Sequence, residues 1–222
     1  MFPEELTQGY RVFLGDRFRR EQSRYRALAE GQAPQIMVIS CCDSRVSPEV
    51  IFDASPGELF VVRNVANLVP PYETGGEYHG TSAALEFAVQ ALKVRHIVVL
   101  GHARCGGIRA FADDTAPLSP GDFIGRWMNL VAPAAERLGP RTGDLDAYVA
   151  RLELAAIENS LLNLMTFPCV RILVERGRLH LHGAYFGIAS GVLMVRDPQT
   201  GAFGPAIEDM PERVSGIRAV EA

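Results

Sequence analysis

Two short apolar runs constrain this chain more than any other feature. Gln35–Ser40 (QIMVIS) and His96–Leu100 (HIVVL) are nearly unbroken and rich in β-branched side chains. A strand-length run without polar alternation belongs in a sheet covered on both faces, and so in a parallel sheet. Leu59–Arg63 (LFVVR) is a third run of this kind, and Val170–Val174, Leu179–Tyr185 and Val192–Val195 complete the strand expectations. Helical stretches stand between them. Thr81 is placed to cap one, with Ala84, Leu85, Ala88, Val89 and Leu92 on its inner face, and Asp122–Leu138 and Leu145–Met165 read as two more. Alternating strands and helices predict an α/β fold built on a mainly parallel sheet of about four strands. The last link, IASG, is too short for a parallel crossover, so the final strand is expected to be an antiparallel edge.

The 222 residues suit one domain, and neither a repeat nor a break in composition divides them. Residues 1–222 are therefore read as a single unit: a helical arm at 1–30, a core at about 31–196 and a C-terminal extension at 197–222. In the arm, Pro3–Glu30 reads as one long helix, with Leu6, Tyr10, Phe13, Leu14 and Phe18 recurring at three- and four-residue spacing. That stripe suits packing on the chain's own domain or on a neighbouring subunit.

The formal net charge is −4 and there is no long basic run, which argues against nucleic acid as a partner. The apolar runs are of strand length, too short to span a bilayer, and MFPEELTQGY lacks the apolar core of a signal peptide. A soluble, cytoplasmic protein is expected. Of the four cysteines, Cys41 and Cys42 are adjacent, an awkward arrangement for a disulfide framework. In a reducing compartment, clustered Cys and His point instead to metal or catalysis.

The chemistry-bearing residues sit where two of the strands end. Cys41-Cys42-Asp43-Ser44-Arg45 follows the first run, and His102-Ala103-Arg104-Cys105-Gly106-Gly107 follows the His96–Leu100 run. Open α/β sheets bind ligands beyond the carboxyl ends of their strands, so the two motifs share one crevice if the strands are neighbours. His102 and Cys105 have the spacing of two ligands on one turn, and Cys41 completes a two-thiolate, one-imidazole set that suits zinc. Three protein ligands leave the open position of a catalytic site. Asp43 as a fourth would close it, as in a structural site. Cys42 is expected to face elsewhere, Cys169 to be buried and inert, and His79, His96, His180 and His182 to be structural or at most proton carriers. Neither a dinucleotide-binding glycine loop nor a Walker loop is present.

These motifs resemble one family. CCDSR is similar to the C-x-D-S-R signature of β-class carbonic anhydrases, GHARCGG to their G-H-x-x-C-G-G signature, PGELFVVRNVANLVPPY to their central segment and LHLHGAYFG to their last parallel strand. The resemblance implies one zinc ion per chain on Cys41, His102 and Cys105, with Asp43 as a ligand only in a closed form, and Asp43 and Arg45 as a catalytic dyad. It implies reversible hydration of CO2 to bicarbonate and a proton, by hydroxide supplied at the zinc. It places Gln32, Phe60, Val65 and Gly106 at the substrate pocket, Gln32 reaching it across a dimer interface. It also implies a homodimer as the minimal unit, with tetramers or larger assemblies beyond it. Where some members bind regulatory bicarbonate with a Trp-Arg-Tyr trio, this chain has Val38, Arg63 and Phe186, so no such switch is expected. Many members have a pocket tyrosine where this chain has Phe87. Hydrolysis of carbon disulfide or carbonyl sulfide on the same site, or a non-catalytic closed zinc site, are the rival readings.

Overall fold

The computed structural model describes residues 1–75, 79–113 and 122–208, without the side chain of Asp122; the part of the expected C-terminal extension beyond residue 208 lies outside them. In chain order the elements are α1 (Glu4–Gly15), α2 (Arg17–Arg20), α3 (Gln22–Ala29), β1 (Ile36–Cys41), α4 (Pro48–Ile51), β2 (Leu59–Asn64), α5 (Gly80–Glu86), β3 (His96–His102), α6 (Gly106–Ala112), α7 (Asp122–Met128), α8 (Ala132–Leu138), α9 (Leu145–Leu164), α10 (Pro168–Glu175), β4 (His180–Phe186), β5 (Leu193–Arg196) and β6 (Phe203–Pro205). The strands form one sheet in the order β2-β1-β3-β4-β5-β6. The first four are parallel, and β5 and β6 add on antiparallel. The parallel core and the antiparallel turn at β5 agree with the reading above. Strand β6 extends it, its Pro205 lying at the sheet edge, where a missing N–H costs no ladder bond.

Three local expectations are corrected. Val170–Val174 is not a strand but the body of α10: Pro168 occupies the first helical turn, where its absent N–H is not needed, and Val170 is buried while Ile172 is exposed. The arm is not one helix. It breaks at Asp16 (φ −122°, ψ −81°), just after Gly15, and again at Glu21. The pieces fold back on one another through Phe13, Phe18 and Tyr25, with the Phe18 and Tyr25 ring centroids 5.3 Å apart. Thr81 is not the cap of α5. His79 precedes the helix, and the Thr81 hydroxyl accepts a hydrogen bond from the Asn64 amide at 3.3 Å.

The two sheet faces are filled unequally. Met37 and Ile39 of β1 and Ile97 and Val99 of β3 point to one face, where Leu85, Val89, Ile157, Leu164 and Val170 cover them. Helix α9 lies so close to the sheet that a Cβ on Gly101 would sit 2.6 Å from Ile157 Cδ1 and one on Gly183 would sit 3.0 Å from Ile157 Cγ2. Glycine at both positions lets this helix dock. On the other face Val38, Leu100 and Ala184 form a smaller cluster, backed by Ile51 of α4. A third cluster caps the carboxyl ends of the strands, where α6, α8 and α9 bring Ile108, Ala134, Val149 and Leu152 around Cys41 and Cys105. Among the described residues no single helix is long and apolar enough to cross a membrane.

Candidate metal centre

β1 and β3 are neighbours in register, Ser40 opposite Leu100. The loops that follow them therefore open at the same end of the sheet. The sulfurs of Cys41 and Cys105 and a ring nitrogen of His102 all lie within 4.8 Å of one another, and all three residues are buried. His102 Nδ1 lies 2.9 Å from the Ala103 carbonyl, which accepts a hydrogen bond from it. That leaves Nε2 as the lone-pair nitrogen, and Nε2 is buried without a partner. A buried polar atom left without a partner is costly unless a ligand satisfies it. Two soft sulfurs and one imidazole suit zinc, so these residues fit the metal that the sequence implies.

The electrostatics favour a cation at this point. A hydrogen bond from Cys105 pushes the Cys41 thiol down to about 4, against the opposing effect of burial. The same bond, with burial second, pushes Cys105 well up. Cysteine binds a metal as the thiolate, so metal binding at these two sulfurs is coupled to proton release. Burial pushes the His102 imidazole down, but the nearby Cys41 sulfur, the bond to Ala103 and the charges of Cys41 and Asp43 outweigh it, and the net direction is up.

Asp43 stands beside this trio, its Oδ2 3.9 Å from His102 Nε2. Arg45 holds it with a two-pronged bond, Nε donating to Oδ1 at 2.9 Å and Nη2 to Oδ2 at 2.6 Å, while the Arg45 backbone N–H donates to Oδ1 at 3.0 Å. These bonds hold the Asp43 carboxyl well below the usual carboxylate range. Asp43 is not one of the three converging ligands.

The other expected pocket residues divide. Val65 is at the site: the next residue, Ala66, donates its N–H to Cys41 Sγ at 3.3 Å, and a Cβ on Gly107 would lie 3.0 Å from Val65 Cγ1. Gly106 opens α6 directly after Cys105, and a Cβ there would meet open space. Phe60 and Gln32 are not brought to the trio of their own chain. Phe60 is four residues back from the Cys41–Asn64 rung, about 13 Å along β2, where its ring meets Phe87 with centroids 5.9 Å apart. Gln32 is exposed beyond the far end of β1, whose six residues span about 16 Å.

Several residues that hold the site in shape were not singled out from sequence for that role. Arg63 donates to the carbonyls of Cys41, Asp43 and Val46 at 2.7–2.8 Å, and so fixes the CCDSR loop. Its signal was a charged residue ending an apolar strand at the chemical end of the sheet. Glu153 is buried in α9. It accepts the Cys105 backbone N–H at 2.8 Å and the Tyr185 hydroxyl at 2.7 Å. Desolvation pushes this carboxyl up despite both bonds. A lone acid inside LELAAI was the visible hint. Ala66, Asn67 and Arg104 adopt φ of 64°, 50° and 57°, and such left-handed non-glycine residues commonly gather at functional sites. Cys42 is exposed, and Cys169 is half-buried at the start of α10 rather than fully buried.

Comparison with known proteins agrees with this geometry. Residues 36–193 match the family model described as carbonic anhydrase. The chain is 37% identical over 193 residues to beta carbonic anhydrase 3 of Arabidopsis thaliana, covering 85% of this chain and 74% of that one. Its fold superposes on the β-carbonic anhydrase CcaA with a TM-score of 0.79 at 30% identity, covering 91% of each chain. It also superposes on a tetrameric β-carbonic anhydrase of Sordaria macrospora with a TM-score of 0.75 at 30% identity, covering 90% of this chain and 98% of that one.

Proposed function

The chain belongs to the β class of the carbonic anhydrase family, and from that membership we propose that it hydrates CO2 reversibly to bicarbonate and a proton, with one zinc ion held by Cys41, His102 and Cys105. The observation that carries this reading is the pairing of a partnerless, buried His102 Nε2 facing two sulfurs with an Asp43 drawn onto Arg45. The first provides for a metal. The second keeps a carboxylate beside the metal position without spending it as a ligand, which counts against a closed structural site.

When bound, zinc supplies Lewis acidity that makes a water acidic enough to give a nucleophile for CO2. Cys41 and Cys105, as thiolates, bring two negative charges and so moderate that acidity compared with three neutral imidazoles. Asp43, kept ionised by Arg45, accepts a hydrogen bond from the attacking oxygen and turns its lone pair toward CO2. Arg45 Nη2 also donates to the Arg104 carbonyl at 3.1 Å, tying the dyad to the turn that carries His102 and Cys105. Trp127 donates to the Val65 carbonyl at 2.8 Å and holds the apolar wall beside the trio.

Gln32 and Phe60 lie far from their own trio, which supports assigning them to the pocket of a second copy and making the homodimer the smallest active unit. Further assembly, as in the Sordaria relative, extends the same proposal. The four free cysteines are consistent with a reducing compartment and support a cytoplasmic location.

Stopped-flow CO2 hydration by the zinc-loaded protein, from neutral to alkaline pH, tests the reading. Turnover that rises with pH is expected from the two-thiolate set. A flat profile contradicts the thiolate argument, and no hydration at any pH contradicts the reaction.

A further inference from the structure

The ends of the strands opposite the metal centre carry a concentration of positive charge that the proposed reaction does not use. Two left-handed turns build it. Lys93 (φ 58°) ends the helical segment that continues α5, just before β3, and Gly177 (φ 64°) follows α10, just before β4. They deliver Lys93, Arg95 and Arg178 to one cavity of about 620 Å³, which His96 and His180 also line. Among the described residues no carboxylate lines it. Lys93, Arg95 and Arg178 make no ion pair or side-chain hydrogen bond among the described residues. The imidazoles are held by packing: the rings of His96 and His180 stack with centroids 5.4 Å apart, and His96 Nδ1 is 3.1 Å from His182 Nε2.

A second cavity, of about 400 Å³, shares Lys93 and Arg178 with the first, and Val89, Val94, Ile172 and Leu173 give it an apolar wall. One compartment is cationic, the next is apolar, and two cations stand at their junction. Both volumes fall in the range of small-molecule sites. A metal cation would be repelled by three permanent positive charges. A monocarboxylate would neutralise only one of them. A phosphate monoester carries a charge of nearly −2 at neutral pH and three acceptor oxygens, which guanidinium and ammonium groups bind by charge-assisted hydrogen bonds.

We propose that these joined cavities bind an organic phosphate, its phosphate group among Lys93, Arg95 and Arg178 and its carbon part along Val89, Val94, Ile172 and Leu173. The site lies at the far end of the sheet from Cys41 and His102, so it is separate from the metal centre of its own chain.

The test is calorimetric titration of the zinc-loaded protein with n-hexyl phosphate, inorganic phosphate and hexanoate at matched, low ionic strength. Hexyl phosphate is expected to bind more tightly than either of the others. A Lys93→Ala/Arg178→Ala double variant is expected to weaken hexyl phosphate binding at least about tenfold, as loss of charged hydrogen bonds requires, while CO2 hydration without added phosphate stays at the parent level. In the parent, hexyl phosphate should shift the ring proton resonances of His96 and His180. Hexanoate binding as tightly as hexyl phosphate overturns the phosphate assignment. Inorganic phosphate binding as tightly overturns the apolar half. Undiminished binding in the double variant, or no binding in the parent, overturns the site.

Discussion

The metal centre and the N-terminal arm solve opposite problems. At the metal centre the chain satisfies itself. Arg63 ties down three carbonyls of the CCDSR loop, Glu153 holds the Cys105 amide, and Arg45 holds Asp43. In the arm, α1 has no buried residue, and Leu6, Tyr10 and Val12 remain 57–70% exposed. The arm is tied to the core through α3, where Arg24 meets Glu58 and Leu28 lies over Gly57. Gly57 itself requires glycine, since its φ is 86° and a Cβ would meet Leu28 Cδ2 at 2.5 Å. The contrast is between a candidate ligand set that converges within one chain and an α1 apolar face that the described residues leave uncovered.

The sharpest break between the two regions comes from Cys105→Ala. It removes one of three converging ligands, and loss of both stoichiometric zinc and CO2 hydration is expected, read by metal analysis and stopped-flow assay. Arg63→Ala is expected to leave the ligands in place but loosen their loop, weakening zinc affinity or turnover by about 10–100-fold, measured by competition with a chelator. Normal affinity and turnover would show that the loop holds without it.

Tyr185→Phe probes the buried support beneath Cys105. It leaves Glu153 Oε2 without its donor, at a cost of about 1–3 kcal/mol in thermal or denaturant unfolding. The pH dependence has a definite sign. Glu153 has its folded pKa raised by burial, so its charged form opposes folding and its protonated form does not. The deficit of the variant should therefore be larger at alkaline pH and shrink as pH falls through the folded pKa of Glu153. A deficit independent of pH would mean that the lost hydroxyl matters only for packing. In the arm, Leu6→Asp with Tyr10→Ala should change the stability of the core by no more than about 0.5 kcal/mol and leave zinc content unchanged. It should shift the protein toward monomer in sedimentation analysis. Unchanged assembly would remove α1 from the interface.

The sequence was most legible where one physical constraint dominated. Strands β1 and β3 show as buried apolar runs, and Cys41, His102 and Cys105, which the fold brings within 4.8 Å of one another, lie where those runs stop. Val170–Val174 misled because a short, mainly apolar run with three β-branched residues fits a strand and a helix equally well, and Pro168 sits in the first turn of the helix that forms. The arm misled because its aromatic spacing persists across Gly15 while the backbone turns at Asp16. Arg63 and Glu153 were hard to see because both act through distant backbone atoms, and no local pattern records which carbonyl or amide a side chain will reach. Gln32 shows a further limit: it is expected to reach a pocket across a dimer interface, a relation that strand order within one chain does not contain.

The central claim is that Asp43, held off the metal by Arg45, acts in turnover rather than in metal binding. It is tested most directly by measuring zinc content and CO2 hydration on one preparation of Asp43→Asn. One zinc per chain with turnover reduced about a hundredfold or more is the predicted result. Near-parental turnover with zinc retained would contradict it.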